Sequence, residues 1–254
     1  MNYFVTGATG FVGSHLVNLL RESGETEVYG TSMSGSDDEN IRTVDLTDGD
    51  AVKRLLEELK PTVIYHLAAF ASPALSFKQP VVAVTSTLAM QINLYEACLA
   101  LDLKPKMLVV SSGQIYGKAE ASDLPLKETS PLDFASPYSV AKVGQENLAA
   151  LYAKRGLESI IARPMNHIGP GQQPGFLVPD LAKQIAELEK GDDDATLRVG
   201  NLSSKRDFTD VRDIVRAYVM LVEKGKAGEI YNVCTGKSVA GQDILKSLLA
   251  LSKN

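Results

Sequence analysis

Cysteine and histidine are scarce in this chain of 254 residues. The two cysteines are Cys98 and Cys234, and the three histidines, His15, His66 and His167, lie far apart in sequence. They form no CxxC pair and no Cys/His cluster, so no metal site is expected. Both cysteines fall in apolar runs and read as buried free thiols. A basic surplus is missing too: 26 Lys and Arg against 31 Asp and Glu leave a net charge of −5. Such a surface repels nucleic acid and anionic membrane, and neither is expected as a partner. A locally basic pocket for an anionic small molecule stays open. The N-terminus has no basic region followed by a long apolar run, so no signal peptide is expected. No stretch approaches the ~18 apolar residues of a membrane span. A cytoplasmic location is the expectation. Internal repeats and low-complexity tracts are also absent.

What is present is ordinary globular composition, 44% hydrophobic and 22% charged, in a length that suits one large domain or one domain with a small lobe. Strand-like and helix-like segments alternate. Strands are expected at 3–5, 27–31, 63–67, 107–110 and 159–162. The intervening helices are expected at 11–23, 48–59, 81–101 and 137–155, from apolar spacing and from end signals such as Asp48 and Pro61. Strands separated by helices imply crossover connections and a parallel sheet. Uninterrupted apolar strands imply helices on both faces. The fold class is therefore α/β, a Rossmann-type doubly wound parallel sheet. After Arg163-Pro164 the character changes. Residues 165–179 read as a loop, followed by a helix at about 180–190, an acidic turn at Asp192-Asp193-Asp194, a helix at 210–223, a strand at 229–233 and a last helix at 241–251. The expected division is a dinucleotide-binding domain of 1–163 plus about 208–235. A small C-terminal substrate-binding lobe takes about 164–207 and 236–254.

Gly7-Ala8-Thr9-Gly10-Phe11-Val12-Gly13 follows the first strand and opens the first helix. Glycines there permit a tight turn and close approach to a pyrophosphate, and the helix N-terminus supplies N–H groups and a favourable dipole. Further on, Tyr138-Ser139-Val140-Ala141-Lys142 begins a helix. Residues four apart share a face, so phenol and ammonium can point into one cleft. A free tyrosine titrates near pH ~10; a neighbouring ammonium favours the phenolate and brings it into acid–base range. Ser112, at the end of the fourth strand, can hydrogen-bond the same substrate oxygen. Taken alone, Tyr-x-x-x-Lys would also fit a plain amphipathic helix face.

The Gly-x-x-Gly-x-x-Gly spacing resembles the short-chain dehydrogenase/reductase superfamily. That resemblance implies cofactor contacts from Gly7, Thr9, Gly10, Phe11, Val12 and Gly13. It places Asp45 and Leu46 at the adenine, although Asp45 would equally suit a surface turn. It places Leu67, Ala68 and Ala69 across the cofactor, with further contacts from Tyr138, Lys142 and Arg163. Thr31 and Ser32 end the second strand with no acid to bind a ribose 2′-hydroxyl, since Asp37, Asp38 and Glu39 come later. That leans towards NADP over NAD, although no arginine stands ready for the phosphate.

Ser111-Ser112-Gly113-Gln114-Ile115-Tyr116-Gly117, Ser136-Pro137-Tyr138 and Arg163-Pro164 resemble the extended branch, the NAD-dependent epimerase/dehydratase family, which acts on nucleotide-sugars. The runs Arg163 to Gln172 and Lys205-Arg206-Asp207-Phe208-Thr209-Asp210-Val211 are most similar to GDP-4-keto-6-deoxy-D-mannose reductases. The resemblance implies that Tyr138 protonates the oxygen at sugar C4 and that Lys142 lowers the tyrosine pKa and holds the nicotinamide ribose. Ser112 would bind the carbonyl oxygen, with Gln114 among the substrate contacts, and Asn166 and Arg206 would meet the substrate diphosphate. A loop-turn role for Asn166, a surface ion pair of Arg206 with Asp207 or Asp210, and a packed loop role for His167 stay open. Related 4,6-dehydratases carry an acid in the place of Gln114, and glutamine cannot exchange a proton in that way. Reduction is thus the expected activity, with a nucleotide-sugar 4-epimerase or a non-catalytic dinucleotide-binding protein as alternatives. Thr87 stands where the branch often has Asn. Family members continue beyond the position of Asn254, so a C-terminally incomplete lobe is expected. A homodimer is expected through the helices at 81–101 and 137–155.

Overall fold

The computed structural model describes residues 1–190 and 196–252; the expected acidic turn at Asp192-Asp193-Asp194 lies outside them. In chain order the strands are β1 (Tyr3–Thr6), β2 (Val28–Ser32), β3 (Ile41–Thr43), β4 (Val63–His66), β5 (Lys106–Val110), β6 (Ser159–Pro164), β7 (Asn166–Ile168), β8 (Lys205–Asp210), β9 (Ile230–Val233) and β10 (Ser238–Ala240). The helices are α1 (Phe11–Glu22), α2 (Gly49–Leu59), α3 (Pro73–Ser76), α4 (Pro80–Ala100), α5 (Pro137–Ala153), α6 (Leu177–Leu188), α7 (Val211–Lys224) and α8 (Gly241–Leu249). Two compact units result, 1–165 with 212–233, and 166–211 with 234–254.

The first unit is a seven-stranded sheet in the order β3-β2-β1-β4-β5-β6-β9, parallel throughout. Alternation along the strands sends side chains to opposite faces. Tyr3, Val5, Val63 and Tyr65 pack with Leu16 and Leu20 of α1 and Ile214, Val215 and Tyr218 of α7. Phe4, Ile64, Met107 and Val109 pack with Val52 and Leu56 of α2 and Leu94 of α4. Two apolar faces need two helical layers, so the sheet is doubly wound. The strand order reverses beside β1, with β2 on one side and β4 on the other. In such sheets the crevice at the carboxyl ends of the strands beside that reversal takes the ligand. Thr6 and His66, paired in register, stand at those ends.

Local chemistry fixes the helices that carry the site. Asp48 caps α2 by accepting from the Ala51 N–H at 3.0 Å. Lys60 closes the same helix in the left-handed region, at φ 45°, immediately before Pro61, which cannot continue a helix. Ser136 and Ser139 cap the start of α5 reciprocally, with Pro137 at its first position, a strong start signal.

The second unit holds a sheet in the order β10-β8-β7, antiparallel between β10 and β8 and parallel between β7 and β8. Helices α6 and α8 pack on each other. The expected loop at 165–179 therefore contains β7 and the start of α6. Strands β3, β8 and β10 and the short α3 were not expected. Cys98 is buried, but Cys234, expected to be buried, is exposed: it lies just past the end of β9, where the apolar run has left the sheet. Among the described residues no helix is long and apolar enough to cross a membrane.

Candidate active site

The glycine loop turns at the end of β1. Gly7 has φ +69°, in the region that disfavours side chains, and a Cβ on it would lie 3.4 Å from the Ala68 backbone. Gly13 admits no side chain at all: its Cβ would sit 2.1 Å from the Gly7 carbonyl oxygen. Gly10 caps α1 without a side chain, and the first turn of α1 holds no acid, unlike α2, where Asp48 claims the helix start. A bare, positively polarised helix end in a glycine cradle fits a pyrophosphate.

Around this cradle the polar groups are ordered. The Thr9 hydroxyl donates to Ser32 Oγ at 2.8 Å. Thr31 and Ser32 are buried, and the Thr31 carbonyl accepts from Ala8 N at 2.8 Å. Asp38 pairs with Arg21 at 2.6 Å, which holds its carboxyl below the ordinary range. Asp45 is exposed. It accepts from the backbone N–H and hydroxyl of Thr47 at 2.8 and 2.7 Å, and these bonds lower its pKa. Leu46 beside it is buried. Thr6 Oγ1 accepts from Leu67 N and Ala68 N, both at 3.0 Å. It also shares a hydrogen bond with His66 Nδ1, 3.0 Å away. His66 is held neutral, its pKa pushed down to about 3 by burial and then by the charge of Lys142. Thr87, the departure from the usual Asn, accepts from Phe70 N at 3.1 Å and so anchors the segment that leaves β4.

Ser112, Tyr138 and Lys142 come together at the ends of β5 and α5. Ser112 lies two residues beyond β5, where its Oγ accepts from Gln114 N at 3.1 Å and caps a short 3-10 turn. Burial raises the Tyr138 phenol pKa, and the influence of the Ser112 hydroxyl opposes the rise. The Lys142 ammonium stands 5.8 Å from the centroid of the Tyr138 ring. It donates to the Val110 carbonyl at 2.8 Å and to Gln145 Oε1 at 2.9 Å. Burial pushes its pKa down to about 7, against the pull of the Glu146 carboxylate. Tyr138 N donates to Ser76 Oγ at 3.2 Å, so α3 steadies the start of α5. A Cβ on Gly113 would displace the end of the Met165 side chain, whose Sδ would lie 2.3 Å away, while Gln114 is exposed. Such a set can hold a carbonyl oxygen with two hydroxyls and deliver a proton to it.

Arg163, expected at the cofactor, is directed into the protein instead. Its guanidinium donates to both Glu146 oxygens at 2.9 and 2.7 Å, to the Tyr116 hydroxyl at 2.7 Å and to the Glu128 carbonyl at 2.8 Å. Four of its five N–H donors thus have protein partners. Glu146 was not singled out from the sequence, although its place four residues after Lys142 was a readable signal.

Asn166 and Arg206 belong to the second unit. Asn166 lies on β7 and its Nδ2 reaches the Asp207 carbonyl at 3.4 Å. Arg206, on β8, is exposed and donates to the Lys205 carbonyl at 2.8 Å. The Asp207 carboxylate is turned to Thr235 N and Gly236 N, at 3.1 and 2.7 Å. His167 lies on β7, so it is a strand residue and not a loop one. Among the described residues no group of three His, Cys, Asp or Glu could hold a metal ion.

The family model described as NAD dependent epimerase/dehydratase matches residues 3–234. A GDP-6-deoxy-D-mannose reductase of Pseudomonas aeruginosa is 33% identical over 251 residues, 98% of this chain and 80% of that protein. A GDP-6-deoxy-D-talose 4-dehydrogenase of Aggregatibacter actinomycetemcomitans is 33% identical over 257 residues, 99% of this chain and 80% of that one. The solved structure of RMD from Pseudomonas aeruginosa complexed with NADPH superposes with a TM-score of 0.87 at 32% identity, covering 99% of this chain and 84% of its own.

Proposed function

This chain belongs to the NAD dependent epimerase/dehydratase family, and we propose that it reduces the 4-keto group of a nucleotide-sugar, GDP-4-keto-6-deoxy-D-mannose to GDP-D-rhamnose. The observation that carries the reading is the Ser112–Tyr138–Lys142 cluster in the same unit as the bare, glycine-cradled start of α1. Similarity to a GDP-6-deoxy-D-mannose reductase supports the choice of sugar. NADPH or NADH, when bound, supplies the hydride for the sugar C4 carbon. Its pyrophosphate is assigned to Gly7, Thr9, Gly10, Phe11, Val12 and Gly13, and its adenosine end to Thr31, Ser32, Asp45 and Leu46. Leu67, Ala68 and Ala69 are assigned to the segment that crosses it. The absence of an acid at the end of β2 favours NADPH.

The residues of the chain then perform the proton chemistry. Ser112 and Tyr138 hydrogen-bond the keto oxygen, and Tyr138 gives its proton to that oxygen as the carbon becomes tetrahedral. Lys142 stabilises the phenolate that remains, so the proton leaves more readily. Gln114, offered as a substrate contact, has no proton to exchange, which argues against elimination of water. Asn166 and the forked donors of Arg206 are assigned to the substrate diphosphate. A homodimer through α4 and α5 completes the proposal, in a cytoplasmic setting.

The test is NADPH consumption with GDP-4-keto-6-deoxy-D-mannose. Tyr138→Phe is expected to lower kcat by about 10³-fold while NADPH affinity changes less than about threefold. A purified protein that retains dinucleotide and epimerises a nucleotide-sugar without net NADPH consumption would establish the 4-epimerase instead.

A further inference from the structure

Below the Ser112–Tyr138–Lys142 cluster lies a buried ion pair that the proton chemistry above does not use. Tyr138, Lys142 and Glu146 follow at intervals of four along α5, on one face of the helix. Glu146 and Arg163 are 8% and 4% exposed, and a carboxylate and a guanidinium this deep are retained only where they are fully paired. One Glu146 oxygen accepts from Arg163 and also from the Ser111 hydroxyl at 2.5 Å. Ser111 is itself buried and bonded to β6 through its N–H, which donates to the Ala162 carbonyl at 2.8 Å. Ser112 is the next residue. Arg163 extends the network to Tyr116, whose hydroxyl donates to Asn232 Oδ1 at 2.8 Å. The strand end that bears Ser112 is thus tied to α5, β6 and β9.

The same carboxylate sits one turn along α5 from Lys142 and acts on it through its charge, while the ammonium's own hydrogen bonds go to Val110 and Gln145. The titratable groups around that ammonium are Tyr138 and Glu146 on its own helix and His66 on β4, with Arg163 on β6 behind Glu146. His66 is neutral and Tyr138 is a phenol, which leaves Glu146 as the anion among them.

We propose that Glu146, fixed by Arg163, is a positioning residue of the reductase site: its carboxylate holds the Ser111–Ser112 strand end in place and serves as the counter-charge of the Lys142 ammonium. This rests on the reductase reading, but its first consequence does not depend on turnover. Burial disfavours the Lys142 charge and Glu146 opposes that effect. Without the carboxylate, Lys142 gives up its proton at lower pH, and Tyr138 loses the charge that favours its phenolate.

Two variants test it, because Glu146→Gln alone strands a buried guanidinium and can fail to fold. The second, Glu146→Gln with Arg163→Met, removes both charges at similar volume. Lys142 is titrated by NMR in protein labelled at lysine Cε, assigned with Lys142→Met, after melting curves and NADPH binding confirm the fold. The expected result in the folded double variant is a Lys142 midpoint at least about half a pH unit below the parent's. With GDP-4-keto-6-deoxy-D-mannose, kcat should fall on the order of tenfold with KM little changed. An unchanged Lys142 midpoint in the folded double variant overturns the proposal, whatever turnover does. A shifted midpoint in a protein whose parent reduces no sugar upholds the counter-charge and removes the reductase reading instead.

Discussion

Ser32 is the last residue of β2, and the cofactor preference turns on what stands there. Its hydroxyl is bonded to Thr9 and is one of three on this rim, with Ser34 3.4 Å away. An acid at this place binds a ribose 2′-hydroxyl and repels a 2′-phosphate. Ser32→Asp should raise the Kd for NADPH at least about tenfold and leave that for NADH within about threefold, as measured by fluorescence titration. Equal losses for both cofactors would detach Ser32 from the 2′ position. His66 makes a separate prediction about pH. Its pKa falls from the ordinary ~6.5 to about 3 in the fold. The unfolded chain therefore binds the proton more readily, and the stability held above about pH 6.5 is lost as pH drops towards about 3. His66→Gln should flatten the fall of melting temperature across that window. A slope equal to the parent's would mean that other groups set the acid limit.

At the scale of elements, α1 and α5 carry the account. Gly13→Ala places a methyl against the Gly7 carbonyl, a backbone atom that cannot move without opening the cradle. NADPH affinity should fall at least about tenfold with a lower melting temperature, whereas Ala at Gly200, which has open space and no positive φ, should change neither. Intact affinity in Gly13→Ala would show that the α1 start does not hold the cofactor. The same elements show what could be read from the sequence. Val63-Ile64-Tyr65 and Met107-Leu108-Val109 were legible as strands because both faces of the sheet are covered and nothing polar interrupts them. The start of α5 was legible from Ser136-Pro137. Strand β8, Lys205-Arg206-Asp207-Phe208-Thr209-Asp210, is mostly polar, and its identity comes from pairing with β7 and β10. Strands β3, β7 and β10 span three residues each, too short for a period to show. The meeting of Ser112 with Tyr138 could be expected from the resemblance. The pairing of Glu146 with Arg163 joins a helix to a strand 17 residues on, which no local pattern records. That pairing also explains why Arg163, read as a cofactor contact, faces inward.

At the scale of the molecule, the exposed apolar residues of α4 and α5 bear on assembly. Val81 and Val82 are 70% and 50% exposed, and Val140 and Leu151 are 45% and 52%. Helix α4 is apolar along most of its length, a pattern typical of a buried helix; α2 and α5 pack beside it, and Val81 and Val82 at its start remain uncovered. Sedimentation should give a dimer, and Leu151→Glu should shift it to the monomer with the fold intact. A monomeric parent would remove this part of the proposal. The net charge of −5 gives the surface no general affinity for anionic substrates, so the proposal leaves recognition of a diphosphate to a few residues such as Arg206.

The central claim is that the chain moves a hydride to C4 of a 4-keto nucleotide-sugar, with Tyr138 as the proton donor. The most direct test supplies NADPH carrying deuterium at its reactive carbon together with GDP-4-keto-6-deoxy-D-mannose, and locates the label in the product. The account predicts one deuterium at sugar C4, matched to the NADPH consumed, and almost no product from Tyr138→Phe. NADPH that binds but is never consumed, or turnover that survives in Tyr138→Phe, would contradict it.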